Sequence, residues 1–154
     1  TVEQLHAAFS ERDYWLARLA AFGGLGKLDS ITTDAGGTAR IVVSQDLRRD
    51  VLPGLFAKLY PLECKVVQEE TWSPLGDGRV RGDIRIITRG APGSGHGTAV
   101  ISPARNGSLL TCTATAEFKV PLVGGSIENV LGRQLVDQMP VIQEFTAKWI
   151  DENA

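Results

Sequence analysis

Only two of the 154 residues are cysteine and only two are histidine. Cys64 and Cys112 form no CxxC pair, and neither has a histidine at ligand spacing. That argues against a zinc or iron–sulfur centre, and both read as free thiols buried in strand-like runs. No metal and no cofactor is expected. No apolar run reaches the ~18–20 residues of a membrane helix, and nothing at the start resembles a signal peptide. Stable membrane insertion is therefore not expected, and a cytoplasmic location is. The net charge of −2 is too small to argue for nucleic acid or an acidic membrane surface as a partner. No GxSxG elbow is present for Ser-His-Asp chemistry. Gly93-Ser-Gly-His-Gly97 imitates a phosphate loop, but no lysine follows it and a strand pattern comes next, not a helix. There is no internal repeat, low-complexity tract or linker, so residues 1–154 read as one domain with room for a sizeable core.

What is present is a long helix at the end of a chain that otherwise reads as strands. Ile127, Val130, Leu131, Leu135, Met139, Ile142, Phe145 and Trp149 recur every three or four residues, the period of one helical face, and predict a helix over 126–151. At ~1.5 Å per residue it is about 39 Å long, so it has to lie across something broad and apolar. Pro140 inside it predicts a kink, because it frees the carbonyl of Val136.

The start of the chain predicts two short helices. Thr1 to Gln4 fits a capping box leading into a helix to about Phe9, and Ser10 with Asp13 suggests a cap for a second helix ending at Gly23-Gly24. Strands are predicted over 28–34 and 38–47 around the Ala35-Gly36-Gly37 turn, then over 63–72, 79–88, 97–102 and 108–120. The last alternates most clearly, with Leu110, Cys112, Ala114, Ala116 and Phe118 on one face and threonines on the other. Residues 48–62 break the pattern and read as a short helix or lid-like loop. The fold class is α+β: a helix pair, about six antiparallel strands in a curved meander, and a C-terminal helix gripped by the sheet.

This order resembles the START-like, helix-grip superfamily, which includes polyketide cyclases and lipid-transfer domains. It is more closely similar to an uncharacterised actinobacterial branch of it. The resemblance is carried by Glu69-Glu70-Thr71-Trp72, by Ile101-Ser102-Pro103, and above all by Val120-Pro-Leu-Val-Gly-Gly-Ser-Ile-Glu128 leading into Glu144-Phe-Thr-Ala-Lys-Trp149. It implies an apolar cavity between sheet and helix that binds a lipid or another hydrophobic small molecule, and it transfers no catalytic residue. The superfamily begins with a strand, whereas this chain begins at a helix cap. A strand edge is then expected to be covered by an extra segment or by a homodimer partner.

The residues expected to line the cavity are Trp72, Ile84, Ile86, Ala99, Ile101, Cys112 and Ala114 from the sheet and Val136, Met139 and Ile142 from the helix. Gly82, Gly97, Ala99, Ala114 and Ala116 are small, which leaves either close packing against the helix or a void. Ala114 is expected opposite Val136 and Met139. Glu70, Asp83 and Glu117 could include an acid–base pair, but alternation puts Asp83 and Glu117 on the wet face, and solvated charges are the favoured reading. The rival to a binding module is an enzyme of polyketide-cyclase or aromatase type, with His96, Gln68 or Tyr60 as acid–base groups in the cavity. A third reading is an interaction scaffold with a filled core. The inward faces show almost no titratable group, which favours binding over catalysis.

Overall fold

The structure is a computed structural model that describes residues 1–23, 25–47, 64–119 and 124–153, with Leu47, Ser126, Ile127, Val130 and Leu131 described by their backbone alone. The expected lid at 48–62, with Tyr60, lies outside the described residues. Two helices, α1 (Val2–Ser10) and α2 (Arg12–Ala21), open the chain. Six strands follow: β1 (Gly26–Thr33), β2 (Ala39–Leu47), β3 (Cys64–Pro74), β4 (Val80–Arg89), β5 (Gly93–Ala104) and β6 (Gly107–Phe118). A 30-residue helix, α3 (Gly124–Asn153), closes it and runs through Pro140 unbroken. The fold is the expected α+β arrangement. The strands form one curled antiparallel sheet in chain order, and among the described residues β1 and β6 are its edges.

The capping box forms as expected. The Gln4 amide N–H donates to Thr1 Oγ1 at 3.2 Å, and Gln4 Oε1 accepts from the Thr1 nitrogen at 2.8 Å. The second cap differs. Ser10 is the last residue of α1, and its hydroxyl donates to the His6 carbonyl one turn back at 2.9 Å. That bond takes it out of competition for capping. Glu11, in extended conformation, is the joint between the helices and makes no side-chain cap.

Turns of two to five residues between the described strands set the register of the meander. Asp34 holds the first, its Oδ1 accepting from the Gly36 and Thr38 amides at 2.9 Å each. Gly37 sits at φ +81° beside it, a backbone region that favours glycine. β5 starts earlier than the sequence suggests. Gly93 and Gly95 pair with Phe118 and Ala116, so half of the expected Gly90–Gly95 loop is strand.

Register then puts defined rows across the inner face. One row reads Ala39, Trp72, Gly82, Ala99, Cys112; the next Ile41, Glu70, Ile84, Gly97, Ala114; the next Val43, Gln68, Ile86, Gly95, Ala116. The core occupies one end of this face. Val80, Ala99, Ile101, Trp72 and Ile41 are buried there against Phe9, Tyr14 and Trp15 of the N-terminal helices, with Phe145, Trp149 and Ile150 of α3 packed on them. Seven rings, Phe9, Tyr14, Trp15, Phe22, Trp72, Phe145 and Trp149, form a chain of contacts with centroids 4.6–6.3 Å apart. Tyr14 and Trp15 are almost fully buried, and their polar atoms are satisfied: Trp15 Nε1 donates to the Phe9 carbonyl, and the Tyr14 hydroxyl bonds Thr146 Oγ1, both at 2.9 Å. Trp15 is thus a core residue.

Candidate functional site

Among the described side chains, those that hold α3 lie toward its two ends. At its C-terminal half it joins the aromatic core. At its start, Glu128 Oε1 accepts the Phe118 amide N–H at 2.8 Å, and Gly124 is pressed against the Phe118 carbonyl where a Cβ would collide. Between these anchors the packing fails progressively. Leu135, Met139, Ile142 and Thr146 follow in steps of four, three and four, so they share one face. Along that face exposure rises from 4% at Thr146, through half-buried Ile142 and Met139, to 42% at Leu135.

The sheet beneath shows the same gap. Cys112 and Ala114 share the side-chain parity of half-buried Leu110, whose cross-strand partner Ile101 is buried, yet both are exposed, while Ile84, Ile86 and Ala116 are half-buried. Gly97 is buried by its own sheet: the three atoms nearest to a Cβ built there, 3.4–3.7 Å away, belong to Thr113, Ala114 and Ile84. The result is a cleft with a floor of glycine, alanine and isoleucine under an incompletely seated helix.

The expected lining residues therefore separate into groups. Trp72, Ala99 and Ile101 are consumed by the packed core. Ile84, Ile86, Met139 and Ile142 are half-buried along the cleft, and Cys112 and Ala114 are its open floor. Val136 is 68% exposed. Cys112 is a free but exposed thiol, which corrects the expectation of two buried ones; Cys64 is buried, and burial pushes its thiol pKa up.

The largest correction concerns Glu70. It is not a solvated charge but 5% exposed, in the middle of the inner face. Gln68 Nε2 donates to Glu70 Oε1 at 2.5 Å and Trp72 Nε1 donates to Oε2 at 2.8 Å. The three side chains are two residues apart on β3, so the strand itself aligns them. Trp72 is in turn fixed: Phe9 packs on it at a tilt of 46° with centroids 4.6 Å apart, and its ring atoms lie close against Gly82. Burial pushes the Tyr14 phenol up, and the negative charge of Glu70 acts in the same direction against the opposing Arg18. Alternation was the available signal, since whatever places Trp72 inward places Glu70 inward too.

The outer face holds the ordinary charges. Asp83 is held low by hydrogen bonds from Arg81, at 3.0–3.4 Å, with the charge of His96 adding to the effect. His96 is exposed there, paired across the strands with Arg85 and Thr115, and so does not enter the cleft. Among the described residues no group of three His, Cys, Asp or Glu side chains is placed to hold a metal ion, and no helix is long and apolar enough to cross a membrane. A separate depression of about 320 Å³ lies by Val2, His6, Pro74 and Arg79. His6 Nε2 is buried nearby with no hydrogen-bond partner among the described residues.

These features define an α+β protein with a curled six-stranded sheet, an inner face left partly open beside its terminal helix, and one buried carboxylate on that face. The chain belongs to a family described as "Protein of unknown function (DUF2505)", whose model matches residues 1–150. It is similar to uncharacterised proteins of Mycobacterium bovis and Mycobacterium tuberculosis, each 38% identical over 160 residues, covering 99% of this chain and 92% of the relative. Both relatives are actinobacterial, in keeping with the branch the sequence resembles.

Proposed function

We propose that the protein binds or carries a hydrophobic small molecule or lipid in the cleft between the sheet and α3, in the manner of the START-like domains its element order resembles. One observation carries this reading: inner-face residues Cys112 and Ala114 are exposed beneath a helix that is anchored at both ends. A closed core would cover them. Apolar floor and apolar helix face left open to each other gain by taking up an apolar guest, at roughly 25 cal/mol per Å² removed from water. Glu70 also supports the rival reading, a cyclase-like enzyme, by placing one titratable group on the inner face. Gln68, the other polar residue of that centre, has no proton to exchange near neutral pH and so cannot serve Glu70 as an acid–base partner.

The test is titration with Nile red, a neutral apolar fluorophore. Saturable uptake by the wild type, abolished by Ala114→Phe without loss of the folded state, supports the reading. A wild type that takes up no probe, or a variant that takes it up unchanged, overturns it.

A further inference from the structure

We infer that the ligand of this cleft is a cationic amphiphile, an apolar chain ending in a primary amine, whose ammonium is received by the Glu70 carboxylate. The inference rests on the reading of the cleft as an apolar binding site and adds the chemical class of its guest.

Removing a carboxylate from water costs several kcal/mol unless a cation or a full set of donors replaces the water. Among the described residues Glu70 is given neither: the donors there are Gln68 Nε2 and Trp72 Nε1, both neutral, one on each oxygen. No Lys, Arg or His nitrogen lies within 4 Å of it among the described residues. A carboxylate offers about four acceptor positions, so about two stay open on oxygens whose direction is already fixed. Fixed orientation is what a recognition group needs, because no ordering remains to be done when the guest arrives.

The surroundings select the rest of the guest. From Glu70 the row continues through Ile84 and Gly97 to the exposed Ala114. That is three strand steps, roughly 14 Å at ~4.8 Å each. The neighbouring row offers Ile86, Gly95 and Ala116. Both rows are apolar and low, so they suit an extended hydrocarbon with its head at β3 and its tail toward β6. An ammonium head neutralises the buried charge. A hydroxyl donates a hydrogen bond but leaves the charge in place, and a carboxylate sets two anions together.

The experiment is displacement of Nile red from the intact chain by decylamine, 1-decanol and decanoate, for the wild type and for Glu70→Gln. In the wild type, decylamine should displace the probe at least about tenfold more effectively than decanol, the size of one charge-assisted hydrogen bond, with decanoate weakest. In Glu70→Gln the amine and the alcohol should converge and decanoate should improve, while uptake of the probe persists. A wild type that ranks decanol or decanoate first, or a variant that keeps the amine preference, overturns the assignment of Glu70 and leaves the apolar cleft standing. No uptake of Nile red at all removes the cleft and this inference together. The wild-type ranking decides by itself if Glu70→Gln fails to fold.

Discussion

Two alanines on one face of the sheet should answer very differently to the same substitution. Ala99 lies between Gly82 and Cys112 in its row and is 3% exposed, beneath the aromatic core. Ala114 lies one row away, beside Gly97, and is exposed. A phenylalanine ring at Ala99 has to displace buried side chains. Overpacking of this kind costs about 1–3 kcal/mol. For a chain of this length each kcal/mol moves Tm by about 2–4 °C, so Ala99→Phe should lower Tm by roughly 2–12 °C. Ala114→Phe meets open space and should stay within about 0.5 kcal/mol, or about 2 °C. It should also fill the cleft and exclude Nile red. Thermal melts of both variants followed by circular dichroism, with one probe titration, are sufficient. If Ala114→Phe is as destabilising as Ala99→Phe, α3 is seated on β6 along its whole length, and the argument from exposed floor residues fails.

Gly82→Ala should cost about 1–3 kcal/mol, because a Cβ there would lie 2.5 Å from Trp72 Cζ3 while Glu70 and Phe9 hold that ring in place; a changed near-ultraviolet dichroism spectrum would show the displaced indole, and an unchanged melt would refute the contact. Tyr14→Phe should cost about 1 kcal/mol near neutrality through loss of the bond to Thr146. Because the Tyr14 phenol is raised in the folded state, its contribution is fully present below the ordinary tyrosine value of about 10 and is lost as pH rises through the higher folded value; denaturant titrations from pH 8 to about 11 should show a steeper alkaline loss in the wild type than in Tyr14→Phe, and parallel curves would count against it. A thiol reagent should label Cys112 in the folded protein and Cys64 only after unfolding; bound Nile red should slow the first reaction, and equal labelling of both thiols would contradict their placement.

Periodicity made most of the fold legible. Eight apolar positions at helical spacing define α3 almost to its ends, and the alternation from Leu110 to Phe118 gives β6 its two faces. Both are local signals, repeated often enough to outweigh single exceptions. Caps are read less securely, because they depend on one residue. Ser10 has the right chemistry for an N-cap, but it was closer to the end of α1, and the helix it already belonged to used its hydroxyl.

The site was legible in parity and not in cover. Cys112 and Ala114 were placed on the inner face correctly, but alternation states only which way a side chain points. Whether a helix arrives above it depends on where α3 is pinned, and those pins are long-range: Glu128 to Phe118 at one end, Phe145 and Thr146 to Tyr14 and Phe22 at the other. Glu70 was lost to a general expectation that carboxylates are wet. The pattern Gln68-x-Glu70-x-Trp72 already contained two donors at the spacing that shares a strand face with an acceptor.

The uneven seating of α3 has a physical logic that joins the fold to the proposed function. Stability is concentrated where the aromatic rings meet, so the middle of the helix does not have to be buried for the domain to hold. Pro140 stands in the stretch between half-buried Met139 and half-buried Ile142, and it withdraws the N–H that the Val136 carbonyl would otherwise receive. Bending is therefore least costly at the place where the inner face of the helix passes from the core to the cleft. The aromatic cluster holds the C-terminal half of α3, so opening to admit a guest should flex the helix at Pro140 and leave the Tyr14–Trp149 packing intact.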